Sequence, residues 1–286
     1  MISLCTVWLG KIKGFSDIFT ESLLDKLELV SEVVIARPDQ EAGTNATWRE
    51  GKIRFIQFGC KQHLFLTDAA PGKCLDHGMA MQRAIERASN EYVYCSDPDI
   101  FFYTAVDRLY YELSQEYNLD IIGVSHPAAV TQCYGYFPGI MNLLIQKSKM
   151  PEKNFLKRRV WLHEVLQPKD FTVEFLPPNM PLDREYLIPS HLEGLVDEFP
   201  NPNGNFETGC YLYLWAKQND WRWLAFQTAD VHSYTTQYHR GSIGKVRIPK
   251  QKLFYHAVNC SIDSAQSKYE PFQRAYEQFK EEEQRA

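Results

Sequence analysis

What the chain lacks narrows the reading first. No run among its 286 residues approaches the ~18 consecutive apolar residues that a membrane-spanning helix needs. There is no surplus of basic residues: 31 Lys+Arg face 36 Asp+Glu, for a net charge of −5 and a pI near 5.9. Nucleic-acid backbones are gripped by clustered Lys and Arg, so this balance argues against a nucleic-acid-coating protein and against a membrane-surface role. The seven cysteines, Cys5, Cys60, Cys74, Cys95, Cys133, Cys210 and Cys260, are odd in number and never spaced as CxxC. They read as reduced thiols without a structural zinc site, and a cytoplasmic location is expected. No basic segment precedes the apolar stretch in MISLCTVWLGKIKGF, which is read as a first strand and not as a signal peptide. The sequons at Asn45 and Asn259 are accordingly read as chance. Internal repeats and low-complexity tracts are absent as well.

What is present is an ordinary globular composition, 44% apolar and 23% charged, with an aromatic surplus of 17 Phe, 16 Tyr and 6 Trp. The length fits one large α/β domain or two small ones. Runs of strand length lie at 2–9, 32–37, 53–58, 92–96 and 120–125. Helical patterns lie between them. One is capped by Thr20 and carries Leu23, Leu27 and Val30. A second spans 78–89, with Met81, Ala84, Ile85 and Ala88 on one face. A third opens on a Thr104/Asp107 capping-box variant and continues through Val106, Leu109, Tyr110, Leu113 and Tyr117. Strand–helix–strand repetition means parallel strands joined by helical crossovers, and so a Rossmann-like sheet over roughly 1–125. Proline and glycine interrupt 127–139 and 177–204, which read as functional loops. A helix over about 207–217, a strand at 223–226, a polar loop to Gly244 and a charged helix over 267–286 complete the reading. That last helix carries Tyr269, Phe272, Tyr276 and Phe279 on one side.

The most informative stretch is Glu91-Tyr-Val-Tyr-Cys-Ser-Asp97-Pro98-Asp99, an apolar strand that runs directly into two carboxylates. Residues i and i+2 of an extended segment face the same side. Pro98 restricts its own φ and the conformation of Asp97. The pair falls at a strand's carboxyl end, where open α/β sheets place ligands. Two carboxylates held close repel unless a cation or proton lies between them, and oxygen donors suit Mg²⁺ or Mn²⁺. The bland alternative is an Asp-Pro-Asp turn leading into the next helix.

The order of helix HGMAMQRAIERASNEY, strand VYCS and then Asp97-Pro98-Asp99 resembles the core of GT-A glycosyltransferases, in particular glycosyltransferase family 2. The resemblance covers roughly 1–245 and rests on short motifs. It implies a mixed, mostly parallel central sheet flanked by helices. It also implies Asp97 and Asp99 on a divalent ion, Mn²⁺ or Mg²⁺, that bridges the diphosphate of a UDP-, GDP- or dTDP-sugar, with inverting transfer to a carbohydrate or other hydroxyl acceptor. Gly204-Asn-Phe-Glu207-Thr208-Gly209 resembles the start of the acceptor-side helix, with Glu207 as general base and Asp197 or Glu198 as alternatives. The sequence departs from family 2 at Thr208, where an acidic residue is expected. His232 or His239 would complete the metal site, and Arg240 and Lys245 would grip phosphate. Nucleotide contacts are expected from Thr6, Trp8, Arg37, Asp39, His77, Arg83 and Asp97, and acceptor contacts from Tyr134, Tyr136 and Thr208.

The chain is accordingly divided into a nucleotide-sugar-binding half, 1–125, an acceptor-binding half, 126–245, and a C-terminal extension, 246–286. Two other readings compete. One is a haloacid dehalogenase-type Mg²⁺ phosphatase, disfavoured by Phe101 at the fifth motif position and by an acidic strand that does not open the domain. The other is a catalytically silent carbohydrate-binding protein on the same fold.

Overall fold

The computed structural model describes residues 1–8, 13–38, 43–60, 77–125, 137–150, 212, 215–216, 219–228, 232–244, 246–257 and 265–285. Its strands are β1 (Ile2–Val7), β2 (Val30–Pro38), β3 (Ala46–Glu50), β4 (Ile53–Cys60), β5 (Tyr92–Ser96), β6 (Ile100–Phe102), β7 (Ile121–Val124), β8 (Asn142–Gln146), β9 (Trp223–Thr228), β10 (Ser233–Gly241) and β11 (Lys252–His256). The helices are α1 (Lys13–Lys26), α2 (His77–Arg87), α3 (Val106–Glu116) and α4 (Ala265–Arg285).

All of these strands join one sheet in the order β3-β4-β2-β1-β5-β8-β7-β9-β10-β11-β6. The run β4-β2-β1-β5 is parallel, and so is β7-β9; β8 is inserted antiparallel between β5 and β7. Strands β1, β2, β4, β5, β7, β9 and β11 therefore point one way, which makes a mixed, mostly parallel sheet flanked by helices.

Alternation within the central strands explains the layering. Cys5, Val7, Val34 and Ala36 face a core shared with Ala80, Met81, Ala84 and Ile85 of α2. Their neighbours Ile2, Leu4, Val33 and Ile35 face the opposite side, against Phe19 and Leu23 of α1 and Val106, Tyr110 and Leu113 of α3. Strands buried on both faces read as continuous apolar runs, and these runs are what the sequence displays.

Several local expectations are corrected. Thr20 lies inside α1 and does not cap it, because the apolar stripe starts earlier, at Phe15, Ile18 and Phe19. Val30 opens β2 and is not part of the helix. Helix α3 has Ala105 at its N-cap with no side-chain cap bond; Thr104 is not used, and Asp107 is spent elsewhere. The polar loop expected up to Gly244 is largely strand β10, whose Tyr234 and Thr236 are buried while Gln237 is exposed. Strands β3, β6, β8 and β11 were not foreseen. Among the described residues most aromatic side chains are core, with Phe15, Phe137 and Trp221 buried in three-dimensional clusters.

Candidate metal centre at the end of strand β5

Strand β5 is held between β1 and β8, with Cys5 opposite Cys95 and Ser96 opposite Asn142. The Asp97 N–H continues the ladder to the Met141 carbonyl at 2.9 Å, so the strand's hydrogen bonding carries into the acidic turn. Beyond Asp99 the chain enters β6, which pairs antiparallel with β11; Ile100 lies opposite His256. The Ala257 N–H donates to the Asp99 carbonyl at 3.0 Å, and the His256 N–H to the His232 carbonyl at 2.9 Å. This ladder, which closes over a long sequence interval, brings an imidazole to the two carboxylates.

His256 Nε2 stands 3.4 Å from Asp99 Oδ1 and 3.9 Å from Asp97 Oδ2. One ligand atom from each of Asp97, Asp99 and His256 lies within 4.8 Å of the other two. The His256 side chain is 5% exposed and those of Asp97 and Asp99 are 20% and 14% exposed, so the group sits in a recess with one wet side. Burial alone would depress the His256 pKa; the Asp99 carboxylate, helped by Asp97, overcomes it and raises the imidazole above its ordinary value. The site thus favours positive charge between its carboxylates. Two carboxylates and an imidazole form a donor set that suits Mn²⁺, or Mg²⁺ with a less usual nitrogen ligand.

The nearest neighbours are buried and aromatic, and the more distant charge of Lys268 on α4 acts on His256 against the carboxylates. Tyr234 packs its ring on Phe254 at 4.7 Å and lies 6.3 Å from the His256 ring. Its hydroxyl and His256 Nδ1 are both buried without a hydrogen-bond partner among the described residues. Burial, then Asp97 and Asp99, push the Tyr234 phenol far up, so it stays protonated. Burial and Asp97 likewise push up the Cys95 thiol, which is no candidate nucleophile.

The remaining predicted residues fall in several places. His232 sits next to the group, with Nδ1 3.0 Å from the His256 carbonyl and its ring stacked on Tyr255 at 5.2 Å. His239 lies within the β10 hairpin, its ring nitrogens 3.2 and 3.0 Å from the carbonyls of Thr236 and Val246. Neither belongs to the Asp97–Asp99–His256 group. Thr6 is buried in β1, and its hydroxyl and Trp8 Nε1 have no hydrogen-bond partner among the described residues. Arg37 reaches Gln57 Oε1 at 3.5 Å. Thr6, Trp8 and Arg37 thus lie towards the carboxyl ends of β1 and β2, the same end of the parallel run as Asp97. Arg83 is exposed on α2, and Arg240 is exposed on β10. His77 begins α2, but its side chain lies outside the described residues, as do Asp39, Tyr134, Tyr136, Asp197, Glu198, Glu207, Thr208 and Lys245.

His256 was not foreseen. Its signal is weak: a five-residue run, Lys-Leu-Phe-Tyr-His, in a segment set apart as an extension, whose partner strand β6 has only three residues.

No protein-family model matches the chain, and no curated protein matches it by sequence. Solved structures do. Residues 1–349 of S. aureus TarS match at 11% identity with a TM-score of 0.35, over 52% of this chain and 47% of that one. The same protein in complex with UDP-GlcNAc matches at 13% identity and 0.35, over 52% and 46%. HddC from Yersinia pseudotuberculosis matches at 11% identity and 0.34, over 54% and 80%. The chain spans about half the length of the TarS structures it matches. No described helix is long and apolar enough to cross a membrane.

Proposed function

We propose that the chain is a divalent-metal-dependent glycosyltransferase that uses a nucleotide-diphosphate sugar. The observation that carries this reading is the convergence of Asp97, Asp99 and His256 at the carboxyl end of β5, in a Rossmann-like, mostly parallel sheet. Asp97, Asp99 and His256 would hold the ion. A bound divalent cation supplies Lewis-acid neutralisation of charge on a leaving diphosphate.

The chain's own residues do the rest. The β6–β11 ladder fixes the carboxylates against the imidazole before any ligand arrives, which is the preorganisation that electrostatic catalysis needs. Thr6, Trp8 and Arg37 offer polar atoms at the nucleotide end, as the resemblance implies. Inverting transfer needs one base on the acceptor hydroxyl, and Glu207 remains the proposed base.

A panel of UDP-, GDP- and dTDP-sugars, assayed for Mn²⁺- or Mg²⁺-dependent release of the nucleoside diphosphate, tests the reading. Metal-dependent turnover of at least one donor, lost on chelation, is expected. No turnover together with no Mn²⁺-dependent nucleotide binding would sink it. Hydrolysis of p-nitrophenyl phosphate that Asp97→Asn abolishes would favour the phosphatase.

His256→Gln separates the ligand set proposed here from one built on His232 or His239. Loss of the imidazole is expected to weaken Mn²⁺ binding by at least ~10–100-fold, since removing a partner that merely orients a ligand already costs that much. His239→Gln should change it far less, because both of its ring nitrogens lie against backbone carbonyls. Calorimetric titration with Mn²⁺ reads both, and the opposite ranking would move the third ligand to β10.

A further inference from the structure

We propose that α4, though it supplies no atom to the cation group, positions it: the aromatic face of the helix sets the spacing between His256 and Asp99. The inference rests on reading Asp97, Asp99 and His256 as a cation site.

The argument begins with β6. This edge strand has three residues, pairs only with β11 among the described residues and makes three cross-strand pairs with it. So short an edge is weakly held by its ladder alone and needs packing to be stable. Yet it follows Asp99 directly, and its pairing brings His256 into place. Successive side chains on a strand face opposite sides, so Ile100 and His256 share one face while Phe101 and Tyr255 share the other. On the first face Ile100, Phe102 and Phe254 join the main core. The second face is covered by α4 together with Phe15 and Ile18 of α1.

The cover is specific. Phe101 and Tyr255 stack at 5.2 Å with planes 6° apart, and Phe272 and Tyr276 reach the Phe101 ring at 5.5 and 5.1 Å. Phe272 also lies 6.0 Å from Tyr255, so one α4 side chain touches both strands. Phe101 and Phe272 are fully buried. The helix is itself anchored on α1. A Cβ at Gly14 would lie 2.2 Å from the Tyr269 ring, and Lys26 and Lys280 pair with Glu283 and Asp25. Rings packed against both strands at interior density leave the ladder little room to shear. Shear there would change the 3.4 Å separation of Asp99 and His256 first.

Coupling of this kind is reciprocal, which gives two readouts other than activity. Phe272→Ala is expected to raise the Mn²⁺ dissociation constant about tenfold, as loss of an outer-shell support does. The control is Phe55→Ala, which opens a comparable cavity near the far edge of the sheet. It should lower the melting temperature in the same way and leave Mn²⁺ affinity within twofold of wild type. In the wild-type protein, Mn²⁺ should slow hydrogen exchange of the α4 amides, and in Asp99→Asn it should not.

Equal Mn²⁺ affinity in Phe272→Ala and Phe55→Ala, or α4 exchange indifferent to Mn²⁺, would overturn the positioning role while leaving the cation site intact. Wild-type protein that binds no Mn²⁺ would overturn both. If Phe272→Ala does not fold, the exchange measurement on the wild-type chain decides alone.

Discussion

Asp99→Asn should lower metal-dependent turnover of a nucleotide sugar by ~10²–10³-fold, the usual cost of removing one preorganised electrostatic group, and move the melting temperature by only a few degrees. The substitution keeps the side chain's shape and the bond from the Ala257 N–H to the residue's carbonyl. It removes one of two neighbouring negative charges, which relieves repulsion with Asp97. Against this, His256 loses its nearer carboxylate partner. A charge-assisted hydrogen bond contributes about 1.5–3 kcal/mol when well made, and 3.4 Å is long, so the loss falls at the low end. The two effects oppose each other, and the net change is small.

Their balance depends on pH. His256 has a raised pKa in the folded metal-free protein, so its ion pair stabilises fully below the unfolded imidazole's value. That contribution is lost as pH rises through the folded value. The metal-free variant should therefore trail wild type more at mildly acidic pH than in mildly alkaline buffer. Thermal melts in the presence of EDTA, at pH 5.5 to 9, measure this. A large, pH-independent collapse would make Asp99 a structural residue, and retained turnover would remove it from the site.

Two of this centre's three members were legible because their signal is local. An apolar strand, a proline and two carboxylates in eight residues state the register, the extended geometry and the charge together, and β5 has the predicted bounds. The third member was hidden because pairing between β6 and β11 is non-local. Nothing in Ile-Phe-Phe names Leu-Phe-Tyr-His as its partner. The clue that did exist is the aromatic side of the last helix, whose Phe272 and Tyr276 seal an edge of the sheet with Phe101 and Tyr255.

The central strands were legible for the opposite reason. Burial on both faces leaves them few polar positions, so β1, β2, β4, β5 and β7 stand out as mainly apolar runs, broken only by residues such as Glu32, Arg54 and Gln57. Strand β10 did not stand out. Its buried members include Thr235 and Thr236, and threonine suits a pleated strand while scoring as polar. Tertiary bonds also override local signals. The Thr104/Asp107 pair has the spacing of a capping box, but Asp107 is drawn away by stronger partners.

Those partners make Asp107→Ala the substitution expected to cost the most stability without touching the site. Asp107 is buried in the first turn of α3. Its Oδ1 accepts the N–H of Glu28 at 3.2 Å and of Arg108 at 2.8 Å. Its Oδ2 accepts those of Leu29 at 2.7 Å and Val30 at 3.0 Å. Three of these donors belong to the turn that leads from α1 into β2, so one carboxylate satisfies the turn's backbone and ties α3 to it. Burial pushes the carboxyl's pKa up and the four backbone donors act in the opposite sense, so the bonds serve to offset a real desolvation cost. Alanine removes the acceptor and leaves the donors in place. Each buried donor left unsatisfied costs about 1–3 kcal/mol, and partial access of water to the turn brings the sum to about 3–5 kcal/mol. At roughly 2–4 °C per kcal/mol for a chain of this size, the melting temperature should fall by about 10 °C. Asparagine should do little better, since its amide would turn donors toward donors. Mn²⁺ affinity measured below the transition should be unchanged, because the turn bonds neither β6 nor β11. A loss of under about 1 kcal/mol in Asp107→Ala would mean that water replaces the carboxylate and that the tie between α3 and β2 is carried by packing alone.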